Sequence, residues 1–253
     1  MKTPLQPKQN KRACIDVVQR IIPPRSVVHC FPFFTGEIEL ELLRGDRFVV
    51  GHTHQYVVYE FWRCLMADPL RVSEVIKHFS PLNEVRIFQM LQRKWPEYKD
   101  PFVRSGIFFL LNHHSTTGMI SSGEFDPRPV APTALNRIRQ FKPTNFHLQF
   151  DKESDFIKEA QNITDDSYMI IHGGNYHLDV LQEGVNLGYE ETPVSHDGVR
   201  ELFISKRNPT LLIYNYHPRL LRIYGEHSIQ LLNKYGRETT NAAQCKEVVI
   251  ANF

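Results

Sequence analysis

Seven of the chain's 12 histidines, His52, His54, His113, His114, His172, His177 and His217, fall at positions that read mostly as strand ends or loops. Imidazoles that converge can bind a metal, contact a phosphate or serve as acid and base near neutral pH. No HExxH is present, and carboxylates such as Asp179 stand at no diagnostic spacing, so no metal site is expected. The plainer expectation is that these rings fill polar pockets and bond to backbone. A second set, Arg128, Arg137, Arg139 and Lys142, follows the turn-rich stretch GMISSGEFDP at 118–127. Guanidinium and ammonium groups in such a place either hold nucleic-acid phosphates or make a solvated face, and their local concentration favours DNA.

The elements that must position these groups follow from hydrophobic period and breakers. Helical spacing over 12–22 stops at Pro23-Pro24, an apolar run at 26–30 reads as a strand, 38–43 as a helix and 47–50 as a second strand. That is the βαβ pattern of a doubly wound sheet. From 56 to about 141 long helical patterns replace it, at 57–66, 70–79, 84–91 and 102–111; a hairpin or ordered loop is expected at 118–127, and Pro127, Pro129 and Pro132 predict an extended path beyond it. Strand signals return at 146–150, 167–171, 210–214, 221–224 and 247–250, with helices between them such as 153–160 and 198–205. The expected class is α/β, a mostly parallel Rossmann-like sheet formed by 1–65 and 146–253, with a helical insertion at 66–145.

With 253 residues, 42% hydrophobic and 23% charged, the chain can bury one large core or a core plus an insertion. No run approaches the roughly 20 apolar residues of a membrane span and the first 12 are polar and basic, which predicts a cytoplasmic protein. A formal charge of +2 means that a nucleic-acid surface must be a local patch. Cys14, Cys30, Cys64 and Cys245 lie far apart and read as free, mostly buried thiols.

In order and spacing, the chain resembles the DNA adenine-specific methyltransferases that carry a helical target-recognition insertion. Asn10-Lys11-Arg12 and the helix ending at Pro23-Pro24 are similar to the family's opening Gly-Gly-Lys and Pro-Pro stop. Cys30-Phe31-Pro32-Phe33-Phe34-Thr35-Gly36-Glu37 resembles its donor-binding loop. Val50-Gly51-His52-Thr53-His54 falls where the family has a strand-end Asp, and Gly123-Glu124-Phe125-Asp126-Pro127 resembles its recognition hairpin. Ile171-His172-Gly173-Gly174-Asn175-Tyr176 sits where the catalytic Asp-Pro-Pro-Tyr belongs, and 245–252 resembles the family's ending.

The resemblance implies a donor site at Lys11, Phe33, Gly36 and His52 and a base pocket at Gly173, Gly174, Asn175 and Tyr176. The departures alter both. Gly173 has no side chain to accept a hydrogen bond from an adenine amino group, and only Tyr176 is left to stack on a flipped base. Thr35 and Glu37 add bulk and charge around Gly36, and His52 has one acceptor where an Asp would meet two ribose hydroxyls. The expectation is therefore a methyltransferase-like protein that does not methylate adenine, binds no S-adenosylmethionine, and acts as a DNA-binding or scaffold protein. The rival expectations are an enzyme of changed chemistry on a nucleobase or nucleotide, built on His54, His113, His114, His172, His177 and His217, and a regulatory subunit of an active methylase.

Overall fold

The computed structural model describes every residue except 7–11, 119–122, 152–154, 165 and 183–191. Two compact units divide the chain, one from residues 12–54 and Asn145–Phe253, the other from residues 1–6 and Gln55–Thr144.

The first unit is a seven-stranded sheet. Its strands are β1 (Val27–Phe31), β2 (Phe48–Thr53), β3 (Phe146–Phe150), β4 (Tyr168–Gly174), β5 (Thr210–Asn215), β6 (Ser228–Asn233) and β7 (Cys245–Ala251), in the order β3-β2-β1-β4-β5-β7-β6. β3 through β5 pair in parallel, and β7 runs antiparallel between β5 and β6. This is the mostly parallel, Rossmann-like α/β sheet that the sequence predicts. Val28, Cys30, Ile170, Leu211 and Ile213 pack on one face with α1 (Arg12–Ile21) and the residues around α2 (Glu39–Leu43). Phe31, Met169, Ile171, Leu212 and Tyr214, their neighbours along the same strands, pack on the other face with helices of the second half. The alternation is the period-two consequence of pleating, and both faces are apolar because both are covered.

The helical unit holds α3 (Tyr56–Ala67), α4 (Pro69–His78), α5 (Val85–Lys94), α6 (Pro101–His114) and α7 (Pro132–Arg139). α6 is its axis, with residues 105–112 buried. Gly106 lets α4 close in, since a Cβ there would stand 2.4 Å from Val75. α3, expected to belong to the sheet through residue 65, packs on α6 instead: Phe61 meets Phe108 at 4.9 Å between ring centroids, and Glu60 pairs with Arg104. Residues 1–6 belong here too, tied by Gln6 N–H to Asn112 Oδ1 at 2.7 Å. The two ends of the expected hairpin pair antiparallel at Ser115 and Phe125, while 119–122 lie outside the described residues.

Three local expectations are corrected. The segment at 221–224 is helical, part of α10 (Pro218–Ile223), because Pro218 starts a helix and Leu220 and Tyr224, four apart, are the buried pair. The edge strand that follows is β6, unread in the sequence. After Pro132 the chain is helical too, with Pro132 in the first turn of α7 and Ala134 and Ile138 buried four apart. The remaining helices are α8 (Phe156–Gln161), which begins later than expected with Asp155 capping Ile157 N–H, and α9 (His196–Ser205), capped by Ser195. No helix among the described residues is long and apolar enough to cross a membrane.

Candidate functional site

In an open parallel sheet, ligands bind at the carboxyl ends of the strands where the order reverses. Here that place lies between β1 and β4, which are parallel neighbours with Phe31 opposite Ile171. The loop with Gly36 leaves one strand and the 172–176 segment ends the other, so both lie at the same carboxyl edge, as the sequence predicts.

The side of this edge expected to hold a methyl donor is occupied by the protein's own aromatic ring. Gly36 turns with φ +68°, and a Cβ there would stand 3.2 Å from the Phe33 ring; at Gly51 the distance would be 2.7 Å. Phe33, fully buried, thus fits between two glycines, and its N–H bonds to His52 O at 2.6 Å. His52 is itself core: 3% exposed, stacked on Phe31 at 4.0 Å, with Nε2 2.8 Å from His29 Nδ1 and Nδ1 3.4 Å from Asp151 Oδ1. Both of its nitrogens face protein groups. His54, close by, has its basicity lowered by burial, against the opposing charge of Asp151. Lys11 lies outside the described residues.

The acceptor side is filled as well. A Cβ at Gly173 would stand 2.1 Å from the ring of Tyr214, so the space for a catalytic carboxylate is taken from the neighbouring strand. Gly174 follows with φ +66° at a register irregularity in β4. Tyr176, expected to stack on a base, already stacks on His196 at 4.6 Å and on His217 at 5.0 Å. Asn175 Oδ1 accepts from His177 N–H at 3.2 Å, closing the turn.

Below this turn runs a buried relay that the sequence reading missed. His196 Nε2 lies 2.7 Å from Leu178 O and must be the N–H that donates to it. In the neutral ring Nδ1 is then an acceptor, and Tyr214 Oη, 3.2 Å away, donates to it. Tyr214 and Tyr224 are also hydrogen-bonded, and burial raises both phenols, Tyr224 to about 12, so both stay protonated.

The histidines find separate partners within each unit. His113 and His114 belong to the helical unit and serve backbone: His113 Nε2 bonds Pro4 O at 2.8 Å, His114 Nδ1 bonds Asp126 O at 2.9 Å. Burial pushes His113 down to about 4. His217 Nδ1 accepts from Arg219 N–H at 3.3 Å as the cap of α10, and exposed His177 packs edge-on against it at 4.7 Å. His172 stands apart, with Nε2 2.7 Å from Glu39 Oε1. Glu39 escaped the sequence reading because an acidic residue opening a helix normally needs no partner beyond the helix dipole.

Of the expected DNA contacts, Arg128 is paired with Asp126, whose carboxyl its hydrogen bonds hold at about 2, Arg137 donates to Thr3 O at 3.0 Å, and Arg139 donates to Ser73 Oγ at 2.9 Å. Lys142 is exposed. The sequence reading passed over a second basic face, on α5. Arg86, Gln89, Met90, Arg93 and Lys94 line one open groove of about 250 Å³, and none of its three cations makes an ion pair among the described residues. Only Phe88 and Leu91 anchor α5, so its remaining apolar residues, Val85, Ile87 and Met90, stay exposed. No known family model matches the chain, and no curated protein matches it.

Proposed function

We propose that this chain is a relative of the DNA adenine methyltransferases that has ceased to methylate and works as a DNA-binding or scaffold protein in the cytoplasm. The observation that carries the reading is the Tyr214 ring 2.1 Å from where a Gly173 side chain would begin. A methylase of this kind needs an acceptor at that point to activate the adenine amino group, and here the position is built to exclude one. The Phe33 ring between Gly36 and Gly51 supports the same conclusion for the donor, so S-adenosylmethionine is not a cofactor.

DNA binding is assigned to the helical unit. Arg139 and Lys142 remain exposed, as does Arg128 although Asp126 holds its guanidinium, and the α5 groove adds Arg86, Arg93 and Lys94. Guanidinium groups free of acidic partners are the ones that neutralise phosphates and release counterions. Titrating labelled duplex at several salt concentrations tests this. The wild type should bind with a steep salt dependence, and Arg86→Gln/Arg93→Gln/Lys94→Gln should reduce the slope of log K against log salt by about 2–3. An unchanged slope, or no binding at low salt, defeats the DNA reading.

A further inference from the structure

His172 and Glu39 have no part in the reading above, yet His172 lies near the carboxyl end of β4 and Glu39 opens α2 after β1, at the switch point between β1 and β4 where open α/β sheets present ligands. Glu39 is buried at the start of α2, and the His172 side chain at the end of β4 is 18% exposed. Their 2.7 Å contact fixes the ring: an ionised carboxylate can only accept, so Nε2 carries the proton and donates. Nδ1 is then the lone-pair nitrogen, and among the described residues it has no hydrogen-bond partner.

We propose that His172 and Glu39 form a carboxylate–imidazole general base that takes a proton from water, or from another O–H or N–H group, at an uncharged small ligand bound at this switch point. A buried carboxylate on the far nitrogen does two things for such a base: it holds one tautomer and stabilises the imidazolium that forms. The ligand class follows from charge. Glu39 puts a buried carboxylate behind His172, which disfavours phosphates and carboxylates and admits a neutral molecule. With an ester as the electrophile, the water oxygen bonds to the acyl carbon as its proton passes to Nδ1. The Nε2 proton stays in its bond to Glu39, and the tetrahedral adduct expels the alkoxide or takes the proton back from Nδ1 on its leaving oxygen.

The test uses the full chain with p-nitrophenyl acetate as an uncharged probe at mildly alkaline pH. We expect nitrophenolate release at least about tenfold faster than from the same concentration of free imidazole, loss of that excess in His172→Gln, and a fall of about tenfold in Glu39→Gln. Glu39→Gln keeps an oxygen for Nε2–H but no charge, so a thermal melting curve like the wild type's separates lost charge from lost structure. A wild-type rate no better than imidazole, or an undiminished rate in His172→Gln, overturns the proposal. If His172→Gln does not fold, site-resolved carbethoxylation of the wild type decides: His172 should react faster than exposed His177, and a slower reaction overturns the proposal. These outcomes are independent of DNA binding and methyl transfer.

Discussion

At the scale of single residues, the turn at 172–176 is shaped by volume as much as by chemistry. Gly173 faces a ring at 2.1 Å, so Gly173→Ala should cost about 1–3 kcal/mol from overpacking, read as a lower urea midpoint, and Gly173→Asp should cost at least as much. That Gly173 and Gly174 carry no acceptor was legible in the sequence; the packing of Tyr214 from β5 against Gly173 was not, because Tyr214 is 41 residues away and only strand pairing brings it there. Histidines divide the same way. Their residue type predicted backbone hydrogen bonds, and His113 and His114 make them, but no local signal told which carbonyl each would find. His113 carries a pH prediction. Its folded pKa of about 4 lies below the unfolded 6.5, so between those values the unfolded chain binds a proton that the folded chain refuses. Stability is complete above pH 6.5 and declines toward pH 4 by about 3 kcal/mol. Amide protection factors along α6, corrected for the intrinsic exchange rate at each pH, should fall over that range, and His113→Gln should flatten the response.

At the scale of elements, long periodic segments declared themselves and short ones at the sheet edge did not. The core strands β1, β2, β4, β5 and β7 are apolar on both faces and were legible as runs. β6 lies at the edge, half-buried along most of its length, so its pattern resembles a loop. Prolines misled twice: Pro132 and Pro218 each open a helix, where the missing N–H costs nothing, and the sequence reading gave the first an extended path and the second's helix to a strand. Two helix starts in the second unit, those of α4 and α6, carry side-chain caps, from Asp68 and Asp100. Asp100 accepts from Phe102 N–H at 2.8 Å and pairs with Arg71, whose guanidinium also lies 4.1 Å from the Phe102 ring. Asp100→Ala should therefore destabilise α6 by about 1 kcal/mol through the lost cap, and Asp100→Asn should recover most of it. Equal losses in both variants would place the energy in the exposed ion pair instead.

At the scale of the whole molecule, strand order gives a Rossmann-like α/β sheet, and the proposed absence of methylation rests on what fills the two places marked out by the resemblance. Each site is closed separately, the donor side by Phe33 between Gly36 and Gly51, the acceptor side by Tyr214 against Gly173. Catalytic parts that act as a unit give almost no rate when one is absent, so mending one side leaves the other limiting. The expected result is no transfer from tritiated S-adenosylmethionine to unmethylated duplex by the wild type, by Gly173→Asp, or by Phe33→Ala. Calorimetric titration of the donor, alone and with duplex, should show no binding to the wild type. Phe33→Ala removes the ring that the two glycines accommodate, so weak donor binding without turnover in that variant is consistent with the closure described. Turnover by the wild type would instead mean that Gly173-Gly174-Asn175-Tyr176 still activates an amino group with the Tyr214 ring in place, and the reading of both sites would fall together.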